Sequence, residues 1–237
     1  MDRPLERNSI SAICFDAVGT LLQPDPTVGT AYHTAGVLHG SQHAPSEVLL
    51  RFQAAFARSE RQDAERGDGR TDETVELARW RRIVTEVFDD IADHSPLFDR
   101  LWQHFAAAEN WRLFDDVEPC LAELRARGVR VGIASNFDSR LRTICRDLPP
   151  LDRYPHLFIS SELGHRKPSV HFFRAIEQEL ELPPERLLLV GDTPENDYHA
   201  ALAAGWQALL IDRKGRHVEL PVEHRIASLT ELALRSA

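Results

Sequence analysis

The apolar run Ile13-Cys14-Phe15 leads straight into Asp16, and the chain turns at Gly19-Thr20. A short unbroken run of this kind reads as a strand buried on both faces, as in a parallel sheet. Gln23-Pro24-Asp25-Pro26 then takes the chain away from that strand. From there to Arg112 the pattern is helical. Residues 28–38 carry apolar positions at near-helical spacing. Ser46 is read as the cap of a second helix, with Val48, Leu49, Phe52, Ala55 and Phe56 on one face and a stop at Gly67-Asp68-Gly69. Asp72 caps a third, with Val75, Leu77, Trp80, Ile83, Val84, Val87 and Phe88 mostly inward. Ser95-Pro96 opens a fourth over 97–108. No strand pattern occurs in this stretch, so a four-helix insertion is expected.

Beyond residue 112 the two periods alternate. Residues 117–127 read as a helix stopped by Gly128, 129–135 as a strand, and 139–146 as a helix capped by Asp138. A strand at 157–160 precedes a helix at 169–180. A strand at 187–190 ends in Gly191-Asp192. A helix at 196–204 closes at Gly205, a strand follows at 208–211, and a last helix covers 229–234. This alternation predicts an α/β fold, a doubly wound parallel sheet of the Rossmann-like kind.

Composition narrows the function classes. Of 237 residues, 43% are apolar and 27% charged, ordinary for a globular protein. A net charge of −9 argues against non-specific nucleic-acid binding, which needs basic surface to neutralise phosphates. No stretch approaches the roughly 18 apolar residues of a membrane span, and Met1 to Ser9 lack an apolar signal core. Cys14, Cys120 and Cys145 are odd in number and lack metal-ligand spacing, which suggests a reducing compartment. A cytoplasmic protein without nucleic-acid or membrane partners is expected; oligomeric state is left open.

Three predicted strands end in polar residues: Asp16, Ser135-Asn136 and Asp192. Each alone reads equally as a turn or cap residue. Strand C-termini of a parallel sheet share one rim, however, so these groups can converge there with Lys167, which precedes a helix, and Asp197. Clustered carboxylate oxygens suit a hard cation such as Mg²⁺, and a phosphoryl group needs that cation, a lysine and neutral donors. Lys167 stands out because the chain holds only one other lysine, Lys214, among 28 basic residues. A compact ammonium reaches between oxygens where a guanidinium fork would span them.

The order Asp16-Ala17-Val18-Gly19-Thr20-Leu21, Ser135-Asn136, Lys167-Pro168, then Gly191-Asp192 with Asp197 resembles the four motifs of the haloacid dehalogenase-like (HAD) hydrolase superfamily. The helical insertion resembles its C1 cap. The resemblance implies a core of residues 1–22 and 113–237 with a cap at 23–112. It implies Asp16 as nucleophile, Ser135 and the Asn136 N–H as donors to the transferring group, and Lys167 as the cation beside the nucleophile. Thr20 would support the turn and the substrate site. Mg²⁺ would be held by Asp16, Asp192 and the Val18 carbonyl, with Asp197 acting directly or through water.

Val18 departs from the pattern. Most phosphatases of the superfamily carry a second aspartate there, to protonate the leaving group and later activate water. Such acid–base help is worth about 10²–10⁴-fold, so alkyl phosphates become poor substrates. A 2-haloacid dehalogenase also lacks this aspartate, but the intact Gly191-Asp192 counts against that reading. A phosphonoacetaldehyde hydrolase needs a cap lysine, and residues 23–112 hold none. The expectation is a Mg²⁺-dependent phosphohydrolase acting on a small phosphorylated molecule with a good leaving group. A dehalogenase-type hydrolase and a silent HAD-fold binding module stay open beside it. Tyr32, His33, His39 and His43 are cap candidates for substrate selection, with a histidine as substitute acid. Arg79, Arg81 and Arg82 read as a solvated helix face.

Overall fold

A computed structural model describes residues 10–235. The first strand, β1 (Ala12–Phe15), is wholly buried and lies inside a sheet of six parallel strands. The chain leaves it through β2 (Leu22–Pro24) and enters four helices, α1 (Val28–Leu38), α2 (Pro45–Arg66), α3 (Glu73–Val87) and α4 (Ser95–His104). It returns through β3 (Trp111–Leu113), which pairs antiparallel with β2, Pro24 opposite Trp111. This ribbon corrects the expectation of a strandless 23–112: strands of three residues are too short for alternation to register. The helices bury their own apolar cluster, including Tyr32, Val48, Ile83, Val84 and Phe98.

The remaining elements alternate. They are α5 (Val117–Ala126), β4 (Arg130–Ser135), α6 (Arg140–Asp147), β5 (His156–Ile159), α7 (Ser160–Leu163), α8 (Val170–Leu180), β6 (Leu187–Gly191), α9 (Ala200–Ala203), β7 (Gln207–Ile211), β8 (Arg225–Ile226) and α10 (Leu229–Arg235). Across the sheet the order is β5-β4-β1-β6-β7-β8. The winding reverses between β1 and β6, where a doubly wound sheet opens a crevice at the strand C-termini. Side chains alternate between the faces with the period of a strand. Ile13, Phe15, Ile133 and Val190 pack with Leu121, Ile144 and Leu232 on one face. Cys14, Ala134 and Leu189 pack with Phe172, Ile176 and Ala201 on the other. All three cysteines are buried and free.

Several helix ends differ from expectation. α2 starts at Pro45 with Ala44 before it, so Ser46 lies in the first turn; a proline at that position needs no N–H partner. α4 starts at Ser95 and stops at His104. Asp72 does cap α3, accepting from the Val75 N–H at 2.8 Å. Residues 196–204 are not one α-helix: a wide π-helical turn, Pro194–His199, precedes α9. The Asp197 carboxylate accepts the Thr193 N–H at 2.9 Å, and the wider turn carries that side chain into the interior.

Candidate active site

The site is built on the crevice between β1 and β6. The loop after β1 is tight: the Ala17 carbonyl accepts from the N–H groups of Leu21 and Leu22 at 2.8 and 2.9 Å. Gly19 holds φ +89°, and a Cβ there would lie 2.2 Å from Asp192 Oδ2. Glycine is needed both for the left-handed backbone and for that approach. Thr20 does not reach the cavity. It is fully buried, and its hydroxyl has no hydrogen bond among the described residues, so the turn is held by the Ala17 carbonyl instead.

Lys167 is 2% exposed. Its ammonium donates to Asp16 Oδ1 at 2.8 Å, to Asp197 Oδ1 at 2.6 Å and to the Ala134 carbonyl at 2.9 Å. Burial works against its charge, but Asp16 and Asp197 outweigh it and hold the ammonium above the ordinary lysine range. Asn136 positions it from behind: its amide accepts the Lys167 N–H at 2.8 Å and donates to the Lys167 carbonyl at 2.9 Å. Ser135 is buried at the end of β4 and lines the same cavity as Asp16, Val18, Asn136, Asp192 and Asp197.

Carboxylate oxygens of Asp16, Asp192 and Asp197 lie within 4.8 Å of one another. Burial, then Asp16 and Asp197, push the Asp192 carboxyl up to about 7. Burial and the Asp16 charge also raise Asp197, against the pull of Lys167. Three carboxylates therefore face one ammonium, and a hard cation with oxygen ligands fits the excess charge. Asp197 already engages Lys167 with one oxygen and the Thr193 N–H with the other. Asp16 and Asp192 are better placed than Asp197 to touch such an ion directly.

The cavity above this floor has a volume of about 460 Å³. Its wall is a closed girdle of side chains. Ring centroids follow one another from Trp80 to Phe56 (6.1 Å), Phe52 (5.9 Å), Tyr32 (4.8 Å), Phe105 (6.0 Å), Trp111 (6.1 Å) and Phe137 (6.0 Å). The Arg140 guanidinium closes it, 5.7 Å from the Phe137 centroid and 5.9 Å from that of Trp80. By pattern, Phe52, Phe56 and Trp80 read as helix core. The i,i+4 spacing on α2 fits either role, so the pattern alone does not separate them.

Arg79 corrects the reading of a solvated helix face. It is buried, donates to Ser59 Oγ at 2.8 Å and to Glu76 at 3.3 Å, and pairs with Glu60. Arg166 joins from the neighbouring loop, bonding Glu60 at 2.7 Å and pairing with Asp63. Glu60 and Asp63 lie i,i+3 on α2, a local hint of an acidic face waiting for cations. Burial works against Glu60's charge, yet Arg166 and Arg79 hold its carboxyl below the usual range. Arg81 lies over Phe98 and Arg82 reaches Ser59. His33, His39 and His43 do not line the cavity; His43 pairs with Asp89 at 2.8 Å and Glu47 at 3.1 Å.

Further contacts fasten the helices to the sheet beside the site. Glu73 of α3 accepts from the Ser139 N–H (2.9 Å) and from the hydroxyls of Ser139 (2.8 Å) and Ser161 (2.5 Å). Gly69 accepts the Arg166 N–H at 2.8 Å, and a Cβ on it would lie 2.5 Å from Ser169 Cβ.

Residues 10–205 match the haloacid dehalogenase-like hydrolase family. The chain belongs to that family. Haloacid dehalogenase-like hydrolase domain-containing protein 3 of Danio rerio is 28% identical over 231 residues, 94% of this chain and 95% of that protein. The magnesium-bound HAD-hydrolase YfnB of Bacillus subtilis shares the fold at TM-score 0.75 and 17% identity, covering 96% of this chain and 98% of its own. A crystallised dehalogenase shares it at TM-score 0.73 and 21% identity, covering 95% and 96%. Solved structures of this fold include both dehalogenases and phosphatases. Against that family background, Val18 leaves this HAD hydrolase without a carboxyl two residues after Asp16.

Proposed function

We propose that this HAD hydrolase is a Mg²⁺-dependent phosphohydrolase that forms an aspartyl phosphate on Asp16 and acts on a small phosphorylated molecule in the cytoplasm. The core comprises residues 10–22 and 113–235 with 23–112 as the cap; the expected core segments 1–9 and 236–237 lie outside the described residues. The observation that carries the reading is the Asp192 carboxyl, pushed up beside Asp16 and Asp197 with Lys167 as their cation. A dehalogenase-type site has no use for that second carboxylate. Bound Mg²⁺ would neutralise the cluster and polarise the phosphoryl oxygens, held by Asp16 and Asp192 with the Val18 carbonyl. Asp16 is oriented by Lys167 and attacks with its other oxygen. Ser135 and the Asn136 N–H donate to the transferring group. Asp197 keeps Lys167 charged and in place.

Purified protein is screened against phosphate esters, acyl phosphates and 2-haloacids, with and without Mg²⁺. The expected result is phosphate release that requires Mg²⁺ and is fastest from good leaving groups. Metal-independent halide release, with no phosphate release, would overturn the assignment in favour of the dehalogenase reading.

A further inference from the structure

The wall of the cavity carries information that the floor does not. The geometry points to a phosphate monoester of an aromatic hydroxyl, a phenol-type aryl phosphate, as the substrate of this site, its ring held inside the aromatic girdle. The inference rests on the phosphohydrolase reading and narrows it. Its first support is the girdle itself, which closes around the cavity with ring-to-ring spacings of 4.8 to 6.1 Å. Aromatic faces and edges are complementary to another flat ring, and such contacts add to simple area burial.

The second support is charge. Each cation on the wall already has partners: Arg140 makes two 2.7 Å bonds to Asp138, while Arg79 and Arg166 share Glu60 and its acidic neighbours. Among the described residues, the wall therefore offers no unpaired cation for a second anionic group such as a carboxylate or another phosphate. Glu60, Thr193 and Asn196 also line the cavity, but the hydroxyls of a polyhydroxylated organic part held against the rings would go unpaired, at a cost comparable to burying any unbonded polar group.

The third support is the missing proton donor. Val18 cannot supply one, and no histidine among the described residues lines the cavity. Glu60 is held ionised by its two arginines. Burial raises the Tyr32 hydroxyl well above its usual range, which makes it a poor acid. A phenol leaves as its oxide without a proton. Asp16 attacks phosphorus, the P–O(aryl) bond breaks, and the aryl oxide departs with the bonding pair. Water then attacks the acyl phosphate, releasing inorganic phosphate and one proton and restoring the Asp16 carboxylate.

Three probes separate ring recognition from leaving-group chemistry. 4-Nitrophenyl phosphate has the ring and a good leaving group; acetyl phosphate has the leaving group without a ring; benzyl phosphate has the ring on a poor, alkyl-type leaving group. With saturating Mg²⁺, 4-nitrophenyl phosphate is expected to show the lower KM of the two cleaved substrates. Benzyl phosphate is expected to bind competitively and turn over slowly. Phe56→Ala should lower kcat/KM for 4-nitrophenyl phosphate about tenfold, the worth of one lost aromatic contact, and leave acetyl phosphate within about twofold. Phe56→Leu, which stays apolar and keeps more of the volume than alanine, gives the same selectivity test if the alanine variant fails to fold. Acetyl phosphate with the lower KM, or both substrates falling together in the leucine variant, would overturn the aryl assignment while the phosphohydrolase stands. No release from any of the three would overturn both.

Discussion

Two residues decide the chemistry of the floor. Val18 stands where a carboxyl would serve twice, once for the leaving group and once for water. An aryl oxide needs no help in the first step, but the second step still lacks a base. Hydrolysis of the aspartyl phosphate should therefore limit turnover, and rapid mixing should show a burst of about one phenol per chain before the steady state. Val18→Asp should remove the burst and raise steady-state turnover about tenfold or more; a linear trace in the parent with no gain in the variant would refute this. Asp192 sets the pH behaviour. Its folded value of about 7 lies above the ordinary 3.8. The folded, metal-free protein therefore holds a proton that the unfolded chain gives up. Asp192's contribution to stability is complete below about pH 4 and is lost as pH rises toward 7. The thermal midpoint of metal-free protein should fall across that window more steeply than that of Asp192→Asn. Mg²⁺ held by Asp192 would have to displace the same proton, so its stabilisation should be larger near pH 8 than near pH 6.

At the scale of elements, what is legible in the sequence follows from burial. Strands covered on both faces read as apolar runs, so the pattern places Asp16, Ser135 and Asp192 at strand ends on one rim, but each alone reads as a turn or cap residue and only the four motifs together mark them as a site. Lys167 stands out because the chain so rarely uses lysine. Asp197 reads as a rim residue, but the wide turn that carries it inward has no sequence period of its own. The β2–β3 ribbon is too short to register. Arg79 escapes because a charge on a helix face does not reveal that an acidic face of another helix will cover it. The girdle is hidden for a similar reason: core rings and cavity rings have the same spacing until two elements are brought together. α3 carries another such contact in Glu73. Glu73→Ala removes the acceptor of three hydrogen bonds, a loss of about 1 kcal/mol at an exposed site. The thermal midpoint should drop by about 2–4 °C. KM should rise while kcat is kept, because the helical layer is held less firmly over the cavity. An unchanged midpoint and KM would show the contact to be idle.

At the scale of the molecule, helices and sheet meet along a seam that includes the loop presenting the Lys167 ammonium. Gly69 of the α2–α3 loop holds the Arg166 N–H, and Arg166 immediately precedes Lys167. Drawing the helices away from the sheet would strip the Arg166 N–H of that acceptor, next to the residue that bonds Asp16. The burial of Lys167 also makes the chain unusual as a chemical reagent. Its other lysine, Lys214, is exposed on the connection between β7 and β8. Acylating reagents attack the neutral amine, and Lys167 is both enclosed and held protonated by its two carboxylates. An activated ester added to native protein should modify one lysine side chain, Lys214. Lys167 should react only after denaturation, as mass mapping of peptides would show. Adduct formation on Lys167 in the native state would mean that its ion pairs open freely. Otherwise the molecule offers a single lysine side chain for a fluorophore or a surface tether without any engineering, and a second whose labelling reports that its ion pairs with Asp16 and Asp197 have come apart.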